Sequence, residues 1–443
     1  MTDVNERLNL ILSDFDIPWN TYDKISQLMN QEIENVLTNK NINNSLKMLN
    51  SFVKNVPLEA KDGKYLALDL GGTHFRVSLI ELHGSIINSN HKIYEVPKEI
   101  KRSTTDELFN FVTDSLKNFL SLNNLSKEKL YLGFTFSFPV SLKSLNEGII
   151  ISWTKNFQIN DGIGKDVSKI LMKHIQDKNI NVVCRAIIND TVGCLMSTAF
   201  DHKLAKIGVI LGTGTNACYF EKTEKMKTWE ERHDFKSDQV LINTEWGCFG
   251  ENGVLDFILT KYDIELDKNS LNPTKSIFEK MISGMYLGEI TRRVFLKCIE
   301  EKLIFNGKLS DIIKQQFTIN TTTLSIFAEG DYEKVWKNIL SMGYNSILEK
   351  DIEIMSKVCD MISKRAAFLA AAGISCLIKR LDVTDKDEII VGIDGGLFKC
   401  HPNFEKYIKL GISKLIMDRN VSLKLSIDGS AIGAAIVAMS TVE

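Results

Sequence analysis

The chain is best understood from one stretch, Leu66-Ala67-Leu68-Asp69-Leu70-Gly71-Gly72-Thr73-His74-Phe75-Arg76-Val77. An apolar strand runs there into an acidic, glycine-rich turn and then directly into a second strand. The backbone N–H groups of such a turn can meet an anion, and a Cβ in place of glycine would block its close approach. The alternative is a tight hairpin whose glycines supply positive φ. For a single turn of this kind, the hairpin role is the more common one.

The same turn recurs twice further along the chain. Apolar residues 207–211 lead into Gly212-Thr213-Gly214, and apolar residues 389–393 lead into Asp394-Gly395-Gly396. Three glycine turns at strand ends predict two related α/β halves that close on a nucleotide from opposite sides. A regular internal period is absent, so the prediction depends on the recurring pattern of strand, glycine turn and strand.

Composition limits the class of protein. With 443 residues and 44% hydrophobic content the chain can bury a large core, and its length predicts two domains. A formal net charge of −2 offers no basic stripe for a phosphate backbone, so nucleic acid is not an expected partner. The eight cysteines show no C-x-x-C or other pairing pattern and are predicted to be reduced core thiols of a cytosolic protein.

Neither a dedicated metal site nor a membrane segment is predicted. The seven histidines include no H-x-x-x-H pair, so any metal is expected to arrive with a nucleotide. The N-terminus lacks a basic region followed by an apolar core, which argues against a secretory signal or an apolar membrane plug. The longest apolar run, residues 366–378, is too short to span a bilayer and is predicted to be a buried helix.

Alternating strands and helices predict the domain organisation. Strands are expected over 65–70, 75–82, 130–136 and 182–188, with a helix near 107–120. They predict a small α/β domain over 61–190, completed by a C-terminal helix over 433–443. Residues 1–60 and 191–432 would form a larger α/β domain, with helical blocks over 276–303 and 352–381. Six prolines and no Ser/Gly-rich tract indicate short hinges between the two.

Asn189-Asp190-Thr191 carries the candidate chemistry, because it follows an apolar strand and precedes a helix-like run. An Asp at the mouth of a strand can act as a general base, but Asp is also a favoured N-cap, and alone the cap would be the more common role. Lys155, Glu245 and Glu279 add charged groups, and carboxylates suit the vicinal hydroxyls of a sugar.

Seven motifs, in matching order and spacing from about residue 45 to 435, closely resemble the eukaryotic hexokinase family of the single-unit type. They are Leu68-Asp69-Leu70-Gly71-Gly72-Thr73-His74-Phe75-Arg76, Gly133-Phe134-Thr135-Phe136-Ser137-Phe138-Pro139, Trp153-Thr154-Lys155, Asn189-Asp190-Thr191-Val192-Gly193, Gly212-Thr213-Gly214-Thr215-Asn216, Asn243-Thr244-Glu245-Trp246-Gly247 and Ser283-Gly284-Met285-Tyr286-Leu287-Gly288-Glu289.

The resemblance implies a two-domain actin-like ATPase (ribonuclease H-like) fold with a hinged cleft. It also implies a cytoplasmic kinase that uses ATP and Mg²⁺, delivered with the nucleotide, to phosphorylate glucose and related hexoses in the first step of glycolysis. By matching position Asp190 is the base and Lys155 assists the transferred phosphoryl group. The implied sugar ligands are Ser137, Thr154, Lys155, Asn189, Asp190, Asn216, Glu245 and Glu279. The implied nucleotide side consists of Asp69, Gly71, Gly72, Thr73, Arg76, Thr213, Gly214, Gly284, Gly395 and Ser430.

Three positions depart from the family pattern on the nucleotide side. His74 stands where the family usually has Asn, and its imidazole would donate to a phosphate oxygen or crowd it. Gly396 removes a usual hydroxyl, and Ile432 replaces a residue that is often basic. The segment 318–329 should contribute nucleotide contacts but matches too poorly to name a residue. The sequence therefore predicts an active kinase with weakened or retuned nucleotide binding; the alternative is a catalytically weak hexose-sensing or scaffold protein of this fold.

Overall fold

The computed structural model describes residues 4–39, 43–57, 61–153, 157–159, 161–383, 387–417 and 419–442. The strands are β1 Leu49–Asn50, β2 Gly63–Leu70, β3 His74–His83, β4 Ile86–Glu95, β5 Leu130–Phe136, β6 Val140–Ser144, β7 Glu147–Ile150, β8 Val182–Ile188, β9 Ala205–Leu211, β10 Thr215–Lys222, β11 Gln239–Asn243, β12 Ile389–Asp394 and β13 Val421–Leu425.

The helices follow in the same chain order. They are α1 Val4–Leu12, α2 Trp19–Thr38, α3 Thr105–Leu122, α4 Val167–Asp177, α5 Asp190–Asp201, α6 Lys261–Lys268, α7 Ile277–Ile282, α8 Leu287–Glu300, α9 Asp311–Lys314, α10 Thr322–Glu329, α11 Tyr332–Ser341, α12 Glu349–Arg380, α13 Gly396–Cys400, α14 Phe404–Leu415 and α15 Gly429–Ser440.

Two large sheets organise these elements, and β6 and β7 form a separate two-stranded sheet. The first has the strand order β4-β3-β2-β5-β8, and the second has the order β1-β11-β10-β9-β12-β13. In the first sheet β2, β5 and β8 run parallel, and in the second β9, β12 and β13 do. Ligands of α/β sheets bind outside the carboxyl ends of parallel strands, and the three glycine turns follow the carboxyl ends of β2, β9 and β12.

Helices α5 and α15 form an apolar layer between the two sheets. One buried cluster joins Ala67 of β2, Leu195 of α5, Cys218 of β10 and Ala434 of α15. Separate cores lie on the outer sides, where α3 covers the first sheet and the long helix α12 packs with the second. The cleft-side ends of both sheets are therefore held to the same pair of helices.

Close glycine contacts fix the position of α15. A Cβ added at Gly433 would lie 2.0 Å from the carbonyl oxygen of Gly193 on α5, and one added at Gly133 on β5 would lie 2.0 Å from that of Ala434. Such distances are far below van der Waals contact, so glycine is required for this packing. The pairing holds the N-terminus of α15 beside the glycine turn of β2.

Most predicted elements are present, with differences in extent and number. The strands over 130–136 and 182–188 are confirmed, and the helix near 107–120 extends over Thr105–Leu122. The helical block 276–303 divides into α7 and α8, and the third glycine turn leads into a helix, α13, where the pattern called for a strand. Strand β4 was missed because its side chains are mostly exposed, so no apolar alternation marks it.

The prediction of a buried apolar helix and the prediction of core cysteine thiols have different outcomes. Among the described residues α12 is long and apolar enough to cross a membrane, but 83% of its apolar window is buried inside the protein, which confirms the buried helix. All eight cysteines are free thiols, and most are buried. Cys400 is exposed, so the prediction of a core thiol is wrong for that residue.

Candidate active site

Asp190 is the first residue of α5 and follows the carboxyl end of β8. The N-cap is Asn189, whose side-chain oxygen accepts a hydrogen bond from the backbone N–H of Thr191 at 3.0 Å. Asp190 Oδ1 accepts from the same N–H at 2.9 Å. Because the neighbouring Asn189 performs the capping, the N-cap alternative for Asp190 is wrong, and its carboxylate stands at the mouth of the cleft between the two sheets.

Amide side chains link the residues of the predicted sugar side. Asn216 Nδ2 donates to Asn243 Oδ1 at 2.8 Å and lies 3.3 Å from both Asn189 Oδ1 and Glu245 Oε1. Asn243 Nδ2 in turn donates to Glu245 Oε1 at 2.7 Å. Asn216 and Asn243 are buried, which strengthens these hydrogen bonds and orients the carboxylate before any ligand arrives.

The backbone conformation of Glu245 is unusual. It lies in the left-handed region, with φ 52° and ψ 45°, which non-glycine residues adopt rarely and usually at functional sites. Its neighbour Trp246 is fully buried and donates from Nε1 to Thr215 Oγ1 at 2.9 Å. The anchored tryptophan holds the strained turn that presents the carboxylate.

Glu279 lies on the short helix α7 and reaches the second glycine turn. Its Oε2 accepts the backbone N–H of Thr215 at 3.0 Å. A Cβ at Gly214 would lie 2.8 Å from that same oxygen, and one at Gly247 would lie 3.3 Å from the Glu279 Cβ. These two glycines therefore let Glu279 approach, so Gly214 serves the sugar side as well as the predicted nucleotide side.

The remaining predicted sugar ligands follow β5 and β7 in the chain. Ser137 follows β5 and is half-buried. Thr154 and Lys155 lie outside the described residues. The residues that flank them, Trp153 and Phe157, stack with ring centroids 5.9 Å apart, and Phe138 packs edge-on against both. An aromatic cluster thus anchors both ends of the segment that carries the predicted lysine.

A small cavity of about 30 Å³ adjoins this site. Its walls come from both sheets and include Asn50, Phe138, Asn189 and Asn243. The volume suits about one water molecule, and polar amides face it on the side of the cleft. The cavity therefore borders Asn189, one of the predicted sugar ligands.

Arg76 makes three hydrogen bonds on the predicted nucleotide side. Its Nη2 donates to Asp69 Oδ2 at 3.1 Å and to Ser430 Oγ at 3.0 Å, and its Nη1 donates to Asp428 Oδ1 at 2.8 Å. Ser430 Oγ also donates to Asp69 Oδ2 at 2.7 Å. Three of the predicted nucleotide residues, Asp69, Arg76 and Ser430, are thus brought together, along with Asp428, which the sequence did not indicate.

The first glycine turn closes through its own backbone. Gly71 N–H donates to the carbonyl oxygen of His74 at 3.0 Å, and Val96 N–H donates to that of Thr73 at 2.9 Å. β2 and β3 pair as an antiparallel hairpin across this turn, which confirms the hairpin, but Gly71 does not have positive φ, so that part of the alternative is wrong. Gly72 and Thr73 complete the turn, and Thr73 and His74 are exposed at its tip.

The other two glycine turns meet each other. Gly395 has φ 121°, and a Cβ there would lie 2.3 Å from the carbonyl oxygen of Leu211, just before the Gly212 turn. Gly284 N–H donates to the carbonyl oxygen of Gly212 at 2.8 Å, and Met285 N–H donates to that of Thr213 at 3.0 Å. The predicted Thr213, Gly214, Gly284 and Gly395 therefore lie on one continuous surface.

Asp394 lies among these charges. Burial raises the pKa of the Asp394 carboxyl above its ordinary value, the Gly395 N–H opposes this, and the negative charges of Asp190 and Asp428 add to it. The charges of both the candidate base and the Arg76 cluster therefore act on Asp394.

Comparison with known proteins identifies the family. Two family models, both described as Hexokinase, match residues 7–200 and 206–440. The chain is 36% identical to the hexokinase of Schistosoma mansoni over 448 residues, covering 98% of this chain and 97% of that one. The chain belongs to the hexokinase family. The identity to human Hexokinase-1 is 37%, covering 94% of this chain and 46% of that protein, so the chain spans about half the length of such relatives.

Solved hexokinases share the fold. A structure described as hexokinase from Schistosoma mansoni complexed with glucose superposes with a TM-score of 0.89 at 36% identity, covering 99% of both chains. A second hexokinase crystal structure superposes with a TM-score of 0.84 at 27% identity, again over 99% of both. These matches confirm the two-domain actin-like fold that the sequence resemblance implied.

Three further hexokinase-site contacts were missed from the sequence. Asn243 links Asn216 to Glu245, and its place inside a quoted motif was the available signal. Thr321, in the poorly matching segment, donates to the carbonyl oxygen of Gly284 at 2.6 Å. For Asp428 the only signal in the sequence was its position directly before Gly429-Ser430.

Ile432 packs against the apolar layer between the sheets, which suits a residue without charge.

Proposed function

We propose that this protein is an ATP:hexose 6-phosphotransferase that converts glucose and related hexoses to hexose 6-phosphates. The observation that carries this is the prearranged set of predicted sugar-side groups beside Asp190, together with the contact between the second and third glycine turns. The family membership and the likeness to a hexokinase solved with glucose support it.

Asp190 would take the proton of the sugar 6-hydroxyl. The 6-oxygen forms a bond to the γ-phosphorus of ATP, the bond from that phosphorus to the β–γ bridging oxygen breaks, and ADP leaves with the electron pair. A base within hydrogen-bond reach typically contributes ~10²–10⁴-fold to such a step. The amides of Asn189 and Asn216 and the carboxylates of Glu245 and Glu279 would hold the sugar hydroxyls.

Positioning and charge neutralisation would supply most of the remaining rate. Arg76, the glycine-turn N–H groups and Lys155 would face the phosphates. Mg²⁺ would arrive with ATP and neutralise phosphate charge; within the described residues no cluster of three His, Cys, Asp or Glu side chains forms a protein-bound metal site. Asp69 and Asp394 are the carboxylates on the predicted nucleotide side that would contact this Mg²⁺.

Closure of the two sheets around the ligands would exclude water, which competes as a phosphoryl acceptor. The two units that we propose to move in this closure, about the α5–α15 layer, are residues 61–190 with the C-terminal helix and residues 1–60 with 191–432. We also propose a cytosolic location, which the free thiols suit and which cell fractionation would test.

The deciding experiment is glucose-dependent ADP release by the purified protein with Mg²⁺-ATP, alongside a glucose titration. We expect turnover that requires both substrates. Glucose binding without turnover in the wild type would contradict the proposal and favour the sensor alternative.

A further inference from the structure

The guanidinium of Arg76 is occupied on both of its terminal nitrogens. Nη2 is shared by Asp69 and Ser430, and Nη1 is held by Asp428. The side chains of Arg76, Asp69 and Asp428 are 19%, 21% and 36% exposed, so the cluster lies at the wall of the cleft and is not part of the core. A phosphate that approaches Arg76 therefore meets two carboxylates already bound to it.

These two carboxylates have different roles. Asp69 lies directly opposite Arg76 in the β2–β3 register and also accepts a hydrogen bond from Ser430. Its position is therefore fixed by the sheet. Asp428 comes from the loop between β13 and α15, on the far side of the guanidinium. It is the more exposed partner, and it makes a single bond to Arg76 among its described side-chain contacts.

The backbone of Asp428 is held in an unusual conformation. It has φ 51° and ψ 33°, in the left-handed region, and its side chain does not cap α15 although it occupies the N-cap position. An Asp at this position ordinarily accepts the first free N–H groups of the helix. Here the carboxylate instead binds Arg76. The N-terminus of α15, which favours anions, is therefore uncapped by this side chain and faces the same space.

We propose that Asp428 is an internal anion that competes with nucleotide phosphate for Arg76 and thereby sets the nucleotide affinity. A carboxylate and a phosphate both pair with a guanidinium through oxygen acceptors, so a phosphate competes with Asp428 for the Nη1 hydrogen bond. Asp428 also adds negative charge to a wall that already contains Asp69 and Asp394. Binding of the phosphates requires Asp428 to leave Arg76, and this inference rests on the proposed function.

The test is Asp428→Asn, which keeps the size of the side chain and tolerates the left-handed backbone but removes the charge. Calorimetric titration with ADP at saturating glucose should show roughly 2–5-fold tighter binding, the size expected for a partly exposed ion pair. KM for ATP should fall by the same factor, while the Kd for glucose stays unchanged. Asp428→Glu, which keeps the charge, should leave ADP affinity close to wild type.

Two further variants separate this role from a structural one. Asp114→Asn removes one negative charge on α3, where Asp114 pairs with Lys178, and should not change ADP affinity. In an Arg76→Gln background the gain from Asp428→Asn should disappear, because the competition acts through Arg76. Unchanged or weaker ADP binding in Asp428→Asn, or a gain that persists without Arg76, would overturn the proposal.

Failure of the proposed function looks different. A wild-type protein that binds ADP but does not phosphorylate hexose refutes the kinase assignment alone, and the effect of Asp428→Asn on ADP binding still decides the competition. An active wild type with an unchanged ADP Kd in Asp428→Asn refutes the competition alone.

Discussion

The predicted sugar side and the predicted nucleotide side of the candidate site are built in opposite ways. On the sugar side Asn216 and Asn243 are buried, and neutral amides hold Glu245 through hydrogen bonds. On the nucleotide side the groups are charged and partly exposed, and Arg76 is paired with carboxylates of the same chain. The predicted sugar side is thus held by neutral hydrogen bonds, whereas under the proposal above the predicted nucleotide side must release Asp428 before phosphate binds.

This difference predicts on which side a single substitution should change ligand affinity most. Preorganised groups lose little entropy when a ligand replaces solvent, so sugar affinity should be sensitive to each polar group. Exposed ion pairs contribute little and are screened by salt, so single changes on the nucleotide side should have modest effects. Variants on the two sides therefore test the comparison directly.

The largest effect is expected for Asp190→Asn, because Asp190 is the proposed base. Loss of the base should lower kcat by ~10²–10⁴-fold, while the neutral amide preserves sugar binding. Steady-state kinetics of ADP release and a glucose titration on the same preparation would check both quantities. Turnover within a few-fold of wild type would contradict the role of Asp190.

Glu245→Gln tests the sugar side alone. The substitution keeps the shape but weakens the charge-assisted hydrogen bonds, each of which contributes about 1.5–3 kcal/mol, so the Kd for glucose should rise roughly 10–100-fold. ADP affinity should remain unchanged. Glu333→Gln, at an exposed pair with Lys337 on α11, is the matched control and should alter neither. An equal loss of ADP affinity in Glu245→Gln would contradict the separation of the two sides.

Much of this organisation is predictable from sequence because the pattern is local. Apolar runs that end in glycine turns predicted β2, β9 and β12, and the motifs identified Asp69, Asp190 and Glu245. Strand β4 shows the limit, because its mostly exposed side chains carry no alternation for sequence reasoning to detect. Local patterns report a strand only when one of its faces is buried.

The contacts that define the site depend on distant residues. Asp428 meets Arg76 across 352 positions, and Thr321 meets Gly284 across 37. Neither pairing follows from spacing, since the sheet order and the position of α15 bring the residues together. The left-handed backbone of Glu245 is equally invisible in sequence, because only the buried Trp246 and its hydrogen bond fix it.

Gly433→Ala should weaken both sides together, since α5 and α15 support each of them. The new Cβ meets the backbone of Gly193, so the helices must separate at a cost of about 1–3 kcal/mol in the free energy of unfolding. Urea denaturation would measure it. Gly396→Ala, where an added Cβ meets nothing within 4 Å, is the matched control and should leave stability nearly unchanged. Equal stability of the two variants would show that the helix contact is not tight.

The smallest effect is expected for His74→Asn, which tests the departure within the phosphate turn. Strand alternation places His74 on the same face of β3 as Arg76, opposite Glu95 on β4, and it is exposed. We expect the bulkier ring to crowd the phosphates, so the smaller amide should lower KM for ATP by about twofold, in line with the modest effects of surface changes. His83→Asn, at the other end of the same strand, is the control. A higher KM in His74→Asn would instead show that the imidazole donates to phosphate, which would make the nucleotide side more preorganised than its ion pairs indicate.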